Sequence, residues 1–90
     1  MGLALIKIKI MPKSTDTDLN KIKKKSELII SKEQGKNMKT EIEPIAFGLN
    51  ALIINFTREE TLDSDNLLKK IQKIPDISSA EIIDFRRALG

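Results

Sequence analysis

The sequence predicts a single α+β domain spanning residues 1–90, with two helices on one face of a four-stranded antiparallel sheet. Apolar residues recur with period two in some runs and with helical spacing in two others. These runs follow the order strand, helix, strand, strand, helix, strand. At 90 residues the chain is the size of one domain with a modest core.

Leu3–Met11 opens the pattern. Ala4, Ile6, Ile8 and Ile10 share one face, with Leu5, Lys7 and Lys9 on the other, which reads as a strand covered on one side. Pro12 ends it. Ser14–Asp18 then supplies hydroxyls and carboxylates suited to capping a helix start. Leu19, Ile22, Ser26, Ile29 and Ile30 follow at helical spacing, and Lys21 and Lys23–Lys25 fall mostly on the opposite side. This helix ends before Gly35.

Met38–Ile45 reads as a strand, with Glu41 and Glu43 on one face and Thr40, Ile42 and Pro44 on the other. Pro44 has no N–H for a ladder, so this strand belongs at an edge or bulges there. Leu49–Thr57 is apolar on both faces around Ile53 and Ile54, as a central strand is. A second helix is expected over Leu62–Ile74, capped by Asp63 or Ser64, with Leu67, Leu68, Ile71 and Ile74 as its stripe and Pro75 as its stop. Ile77–Phe85 reads as the last strand, with Ile82 and Ile83 both candidates for its buried face. Right-handed crossovers put both helices on one side of the sheet. The expected fold is a ferredoxin-like sandwich, with Leu5, Lys7 and Lys9 on its open face.

Composition narrows the chemistry. The chain has no cysteine and no histidine, which removes thiolate nucleophiles, thiolate metal sites and the usual general base near neutral pH. Net charge is +3, from 16 basic and 13 acidic residues, a mild bias that permits an acidic partner without requiring one. The apolar start is interrupted by Lys7 and Lys9, so no signal peptide is expected. No membrane span is expected either, and the chain reads as soluble and cytoplasmic.

A ferredoxin-like fold hosts many activities, so the site must decide. RNA-recognition modules stack bases on central-strand aromatics, whereas Leu3–Met11 has none and Phe56 lies on the core side. Metal chaperones of this fold carry two cysteines in the first loop and small phosphatases an arginine there. Met11–Asp16 (MPKSTD) has neither. Asp16/Asp18 and Asp63/Asp65 read as helix caps. Gly48 has no phosphate-loop pattern around it. Lys23–Lys25 reads as a solvated helix face, or as a basic patch for an acidic partner.

Glu43–Leu52 (EPIAFGLNAL) is the exception. Pro44, Ile45, Ala46, Phe47 and Gly48 form an apolar segment where two strands meet, a place where polar residues are usual. Phe47 precedes a glycine, at which the backbone bends sharply. An aromatic there either folds back onto the core or projects as an anchor for a partner.

This run resembles the EPIAFGLKAL-type signature of the translation elongation factor one beta family in its archaeal form, which matches the catalytic guanine-exchange domain of the eukaryotic factor. The resemblance covers the whole chain, including the strand ending in Met11–Pro12, the acidic helix start, and Ile83–Leu89 (IDFRRAL), which is similar to the family's VDVRRAL-type tail. It implies a ferredoxin-like fold and a guanine nucleotide exchange factor that promotes GDP release and GTP loading. The implied partner is the GDP-bound GTPase elongation factor 1-alpha. No covalent chemistry, cofactor, direct nucleic-acid contact or membrane is implied, and a monomer is expected. On this reading Phe47 is an apolar anchor, Pro44, Ile45 and Gly48 shape its bend, and Arg86 and Arg87 offer charge to the GTPase.

The chain departs from the family at two points. Asn50 stands where the signature usually has lysine. The end, Arg86–Arg87–Ala88–Leu89–Gly90, has no lysine after Lys73, so the tail lysine thought to disturb the magnesium site in eukaryotic relatives is not carried over. The competing reading is an RNA-binding or small-molecule regulatory module of the same fold.

Overall fold

In a computed structural model describing residues 2–88, the first alternating run forms β1 (Leu3–Pro12). Ala4, Ile6, Ile8 and Ile10 are buried on one of its faces. A turn then leads into α1 (Leu19–Lys32). Asp18 is its N-cap, its Oδ1 accepting from the Asn20 amide at 3.0 Å. Ile22, Ser26 and Ile30, four residues apart, are the buried positions of α1.

The second strand, β2 (Lys36–Pro44), runs back along the sheet. One turn at Ala46–Gly48 joins it to β3 (Asn50–Glu59). The second helix, α2 (Ser64–Gln72), is shorter than Leu62–Ile74, because Asp63 caps it by accepting from the Asp65 amide at 2.9 Å. Ile74 is buried beyond the end of α2. The last strand, β4 (Ile77–Ala88), continues past Phe85.

The sheet order is β2-β3-β1-β4, with every neighbouring pair antiparallel. This is the ferredoxin-like arrangement the element order predicts. Pro44 lies on an edge strand, as its missing N–H requires, and β3 is central. One core joins Ile6, Ile8, Ile10, Leu52, Ile54 and Phe56 of the sheet to Ile22, Ile30, Leu67 and Ile71 of the helices.

The choice between Ile82 and Ile83 is made by a bulge. Ile82 pairs with Ile8 and Asp84 with Lys7, so Ile83 is the extra residue between them. Ile82 packs against the core while Ile83 stays exposed. No helix among the described residues is long and apolar enough to cross a membrane.

Candidate functional site

The bend between β2 and β3 is narrow. Pro44 sits opposite Asn50. The Ile45 amide donates to the Leu49 carbonyl at 2.7 Å, and the Leu49 amide donates to the Ala46 carbonyl at 3.4 Å. Phe47 has φ 62° and ψ 30°, and Gly48 has φ 78°. Two consecutive positive φ values are those of a type I′ turn, whose twist matches that of the paired strands. Asn-Gly is the usual occupant of such a turn. Phenylalanine in the left-handed region carries a steric cost of about 1–2 kcal/mol.

Phe47 projects from this turn and is 96% exposed. Of the two orientations open to it in the sequence, the structure takes the outward one. The solvent-facing ring forgoes the roughly 1.5–3 kcal/mol that burying it would contribute. Pro44 and Gly48 are exposed beside it, and Ile45 is half-buried. Thr15 borders the same end: its Cγ2 lies 3.6 Å from where a side-chain carbon on Gly48 would sit.

Arg86 and Arg87 lie elsewhere. They sit inside β4, level with Leu5 and Ala4, so they do not follow a strand ending at Phe85. The bend lies beyond Leu52, which is level with Ile10. The advance from Leu5 to Ile10 alone spans about 17 Å of strand, so the bend and the arginines occupy opposite ends of the sheet. The arginines also face opposite ways. Arg86 shares the open face with Leu5, its Nε 3.0 Å from Asp84 Oδ2. Arg87 is on the helix side, its Nε 3.2 Å from Glu60 Oε2. The structure therefore brings Pro44, Ile45, Phe47 and Gly48 together and separates them from both arginines. Leu89 and Gly90, which complete the tail, lie outside the described residues.

The sequence reading missed two features. A shallow cavity of about 410 Å³ on the open face is bordered by Leu5, Lys7, Lys39, Asn55 and Arg86, which come from all four strands and have no common signal along the chain. Arg58 is buried, although its place on the core face of β3 beside Phe56 was readable from the alternation. Phe56 is buried and Phe85 lies on the helix side, level with Ile6, so among the described residues the open face presents no aromatic ring for base stacking. Among the same residues, no group of three or more carboxylates gathers closely enough to hold a metal ion.

Residues 5–88 match the family described as EF-1 guanine nucleotide exchange domain. The chain is similar to proteins named Elongation factor 1-beta from three archaea. With that of Nanoarchaeum equitans it shares 39% identity over 82 residues, covering 90% of this chain and all of that protein. With that of Methanosarcina barkeri it shares 36%, covering 97% and 99%, and with that of Methanobrevibacter smithii 37%, covering 99% and 100%. A solved structure, BlrP1 BLUF, superposes with a TM-score of 0.58 at 15% identity, a likeness of fold alone. That alignment covers all of this chain and 57% of the other.

Proposed function

We propose a mechanism from one premise: this chain belongs to the family of EF-1 guanine nucleotide exchange domains. It is a guanine nucleotide exchange factor of translation elongation. Its partner on this proposal is the GDP-bound GTPase elongation factor 1-alpha, and the work is done by binding, without covalent chemistry. Factor and nucleotide weaken each other's hold on the GTPase, and by linkage the weakening is equal in both directions. A hundredfold loss of nucleotide affinity corresponds to about 2.7 kcal/mol of coupling.

One observation carries the docking reading. Phe47 is at once 96% exposed and held in a left-handed conformation, two costs that the fold itself does not offset. A protruding ring on a turn supported by Pro44 and Ile45 has the shape of an anchor that fills a pocket on another protein. Arg86 and Arg87 lie at the far end of a body 42 Å long. A GTPase that meets both ends is contacted along the module's long axis, with Phe47 seated in one region and an arginine near another.

The test is release of a fluorescent GDP analogue from elongation factor 1-alpha. Phe47→Ala should reduce stimulated release at least tenfold, equivalent to about 1.4 kcal/mol, while leaving the unfolding transition in place. Unchanged release with an intact fold would remove Phe47 from the interface. The double Arg86→Ala/Arg87→Ala variant should slow association most at low salt. A salt-independent, wild-type rate would remove the arginines.

A further inference from the structure

The charge of this molecule is sorted by layer. On the open face Lys7, Lys9, Lys39 and Arg86 are balanced by Glu41, Glu43, Glu81 and Asp84, with Lys9–Glu43 and Arg86–Asp84 already paired. The helix layer is different. Lys21, Lys24, Lys25 and Lys32 fall within an arc of about 100° around α1, on the side away from buried Ile22, Ser26 and Ile30, with exposed Leu28 among them. Lys69 of α2 and Lys73, its C-cap, add to this layer, and α2 packs beside α1. All six are exposed, and none has a carboxylate within 4.0 Å among the described residues.

Four acids of this layer are engaged elsewhere, and Asp65, exposed in the first turn of α2, is left without an ion-pair partner among the described residues. Glu27 turns toward the sheet and accepts from Thr40 Oγ1. Glu33 is held by Lys70 and Arg58. Asp18 and Asp63 cap helices. Helix stability accounts for only part of the set: Lys32 and Lys69 lie in last turns and Lys73 is a C-cap, where the dipole favours cations. Lys21/Lys25, by contrast, is a like-charge pair four residues apart, which destabilises a helix. Lys21 also sits in the opening turn of α1, which has no acidic residue and where the dipole disfavours cations.

We propose that this lysine face binds the phosphate backbone of double-stranded RNA without reading its sequence. Lysine is a hydrated point charge suited to phosphate, and it is depleted at protein–protein interfaces. The outward positions carry no arginine or aromatic side chain to read base edges. The stripe from Lys21 to Lys32 is about 16 Å long, enough to follow several phosphates. RNA is the polyanion present where an elongation factor works. The net charge of +3 gives little hint of this surface, because the sum over the chain conceals how the fold separates the charges. On this proposal the chain contacts nucleic acid, contrary to the expectation from its family resemblance.

The experiment is fluorescence anisotropy of a labelled RNA duplex of about 20 base pairs with the intact chain across a potassium chloride series. Log affinity should fall against log salt with a slope of about −3 to −5, for four to six phosphates neutralised. Lys21→Gln/Lys24→Gln/Lys25→Gln should lower affinity at least tenfold near 50 mM salt and flatten the slope by about three. The charge-matched control Lys7→Gln/Lys9→Gln/Lys39→Gln should change affinity less than threefold, and the α1 variant should retain GDP-release activity. If the α1 triple unfolds, Lys24→Gln alone should flatten the slope by about one. The proposal is overturned by absent binding at low salt, by equal losses in the two triples, by tighter binding of a polyglutamate peptide than of RNA, or by loss of exchange in the α1 variant.

Discussion

Arg58 Nε, buried on the core face of β3, donates to the backbone carbonyl of Glu33 at 2.7 Å. Its Nη1 donates to the carbonyl of Asp63 at 3.2 Å, and Nη2 lies 3.6 Å from Glu33 Oε1. One guanidinium thus ties the end of α1 and the start of α2 to a central strand. Arg58→Ala should destabilise the fold by about 2–4 kcal/mol, because it removes a buried, hydrogen-bonded side chain and unties two partly buried carbonyls. Arg58→Lys should recover little of this, since an ammonium cannot reproduce the fork. Denaturant midpoints measure both, and a loss below about 0.5 kcal/mol for Arg58→Ala would show that the tie is not needed.

Glu33 gives the fold a pH dependence. Lys70 Nζ donates to Glu33 Oε2 at 2.7 Å and holds this carboxyl below its ordinary value near 4.5. The Lys70 and Arg58 charges add to this, while partial burial works against it. A carboxyl lowered in the folded state adds stability that is fully present above its unfolded value and is lost as pH falls through the folded one. The urea midpoint should therefore drop as pH falls below about 4.5, and Lys70→Met should flatten that drop. An unaltered pH profile in Lys70→Met would assign the acid sensitivity to other carboxylates.

Gly35 has no room for a side chain. It is buried where α1 turns into β2, and its amide donates to the Ile30 carbonyl at 2.7 Å. An added Cβ would collide with Ile30 Cγ2 and lie 3.2 Å from Phe56 Cδ2. Gly35→Ala should therefore destabilise by about 1–3 kcal/mol. Thermal unfolding would read this as a fall of several degrees.

Ser26 is the opposite case. It is fully buried in α1 and its Oγ has no hydrogen-bond partner. Ser26→Ala removes a desolvated hydroxyl and adds a better helix former, so it should stabilise by about 0.5–1.5 kcal/mol. That corresponds to a rise of roughly 2–12 °C in Tm. A fall in Tm would mean that the hydroxyl is satisfied in solution.

Phe47→Asn should separate stability from function. Asparagine tolerates the left-handed region, so the variant should unfold at about 0.5–1 kcal/mol higher stability. It should also lose stimulated GDP release. Retained exchange would place the anchor elsewhere.

Much of the fold was legible in the sequence. Ala4, Ile6, Ile8 and Ile10 alternate, Ile22, Ser26 and Ile30 recur at helical spacing, and Pro44 marks an edge. These patterns are local and depend on backbone geometry alone, so they determined the element order and hence the ferredoxin-like topology. EPIAFGLNAL was legible as an apolar bend and as a family resemblance. Whether Phe47 turned in or out was not, because that depends on the φ of two turn residues and on which neighbours come close. The grouping of site residues was likewise decided by strand register. Arg86 and Arg87 are adjacent in sequence, so membership of β4 sends them to opposite faces, and pairing with Leu5 and Ala4 places both far from the bend. The segregation of lysines onto the helix layer arises in the same way. A chain determines which charges it carries, but only packing two helices on one side of a sheet determines which of them share a surface.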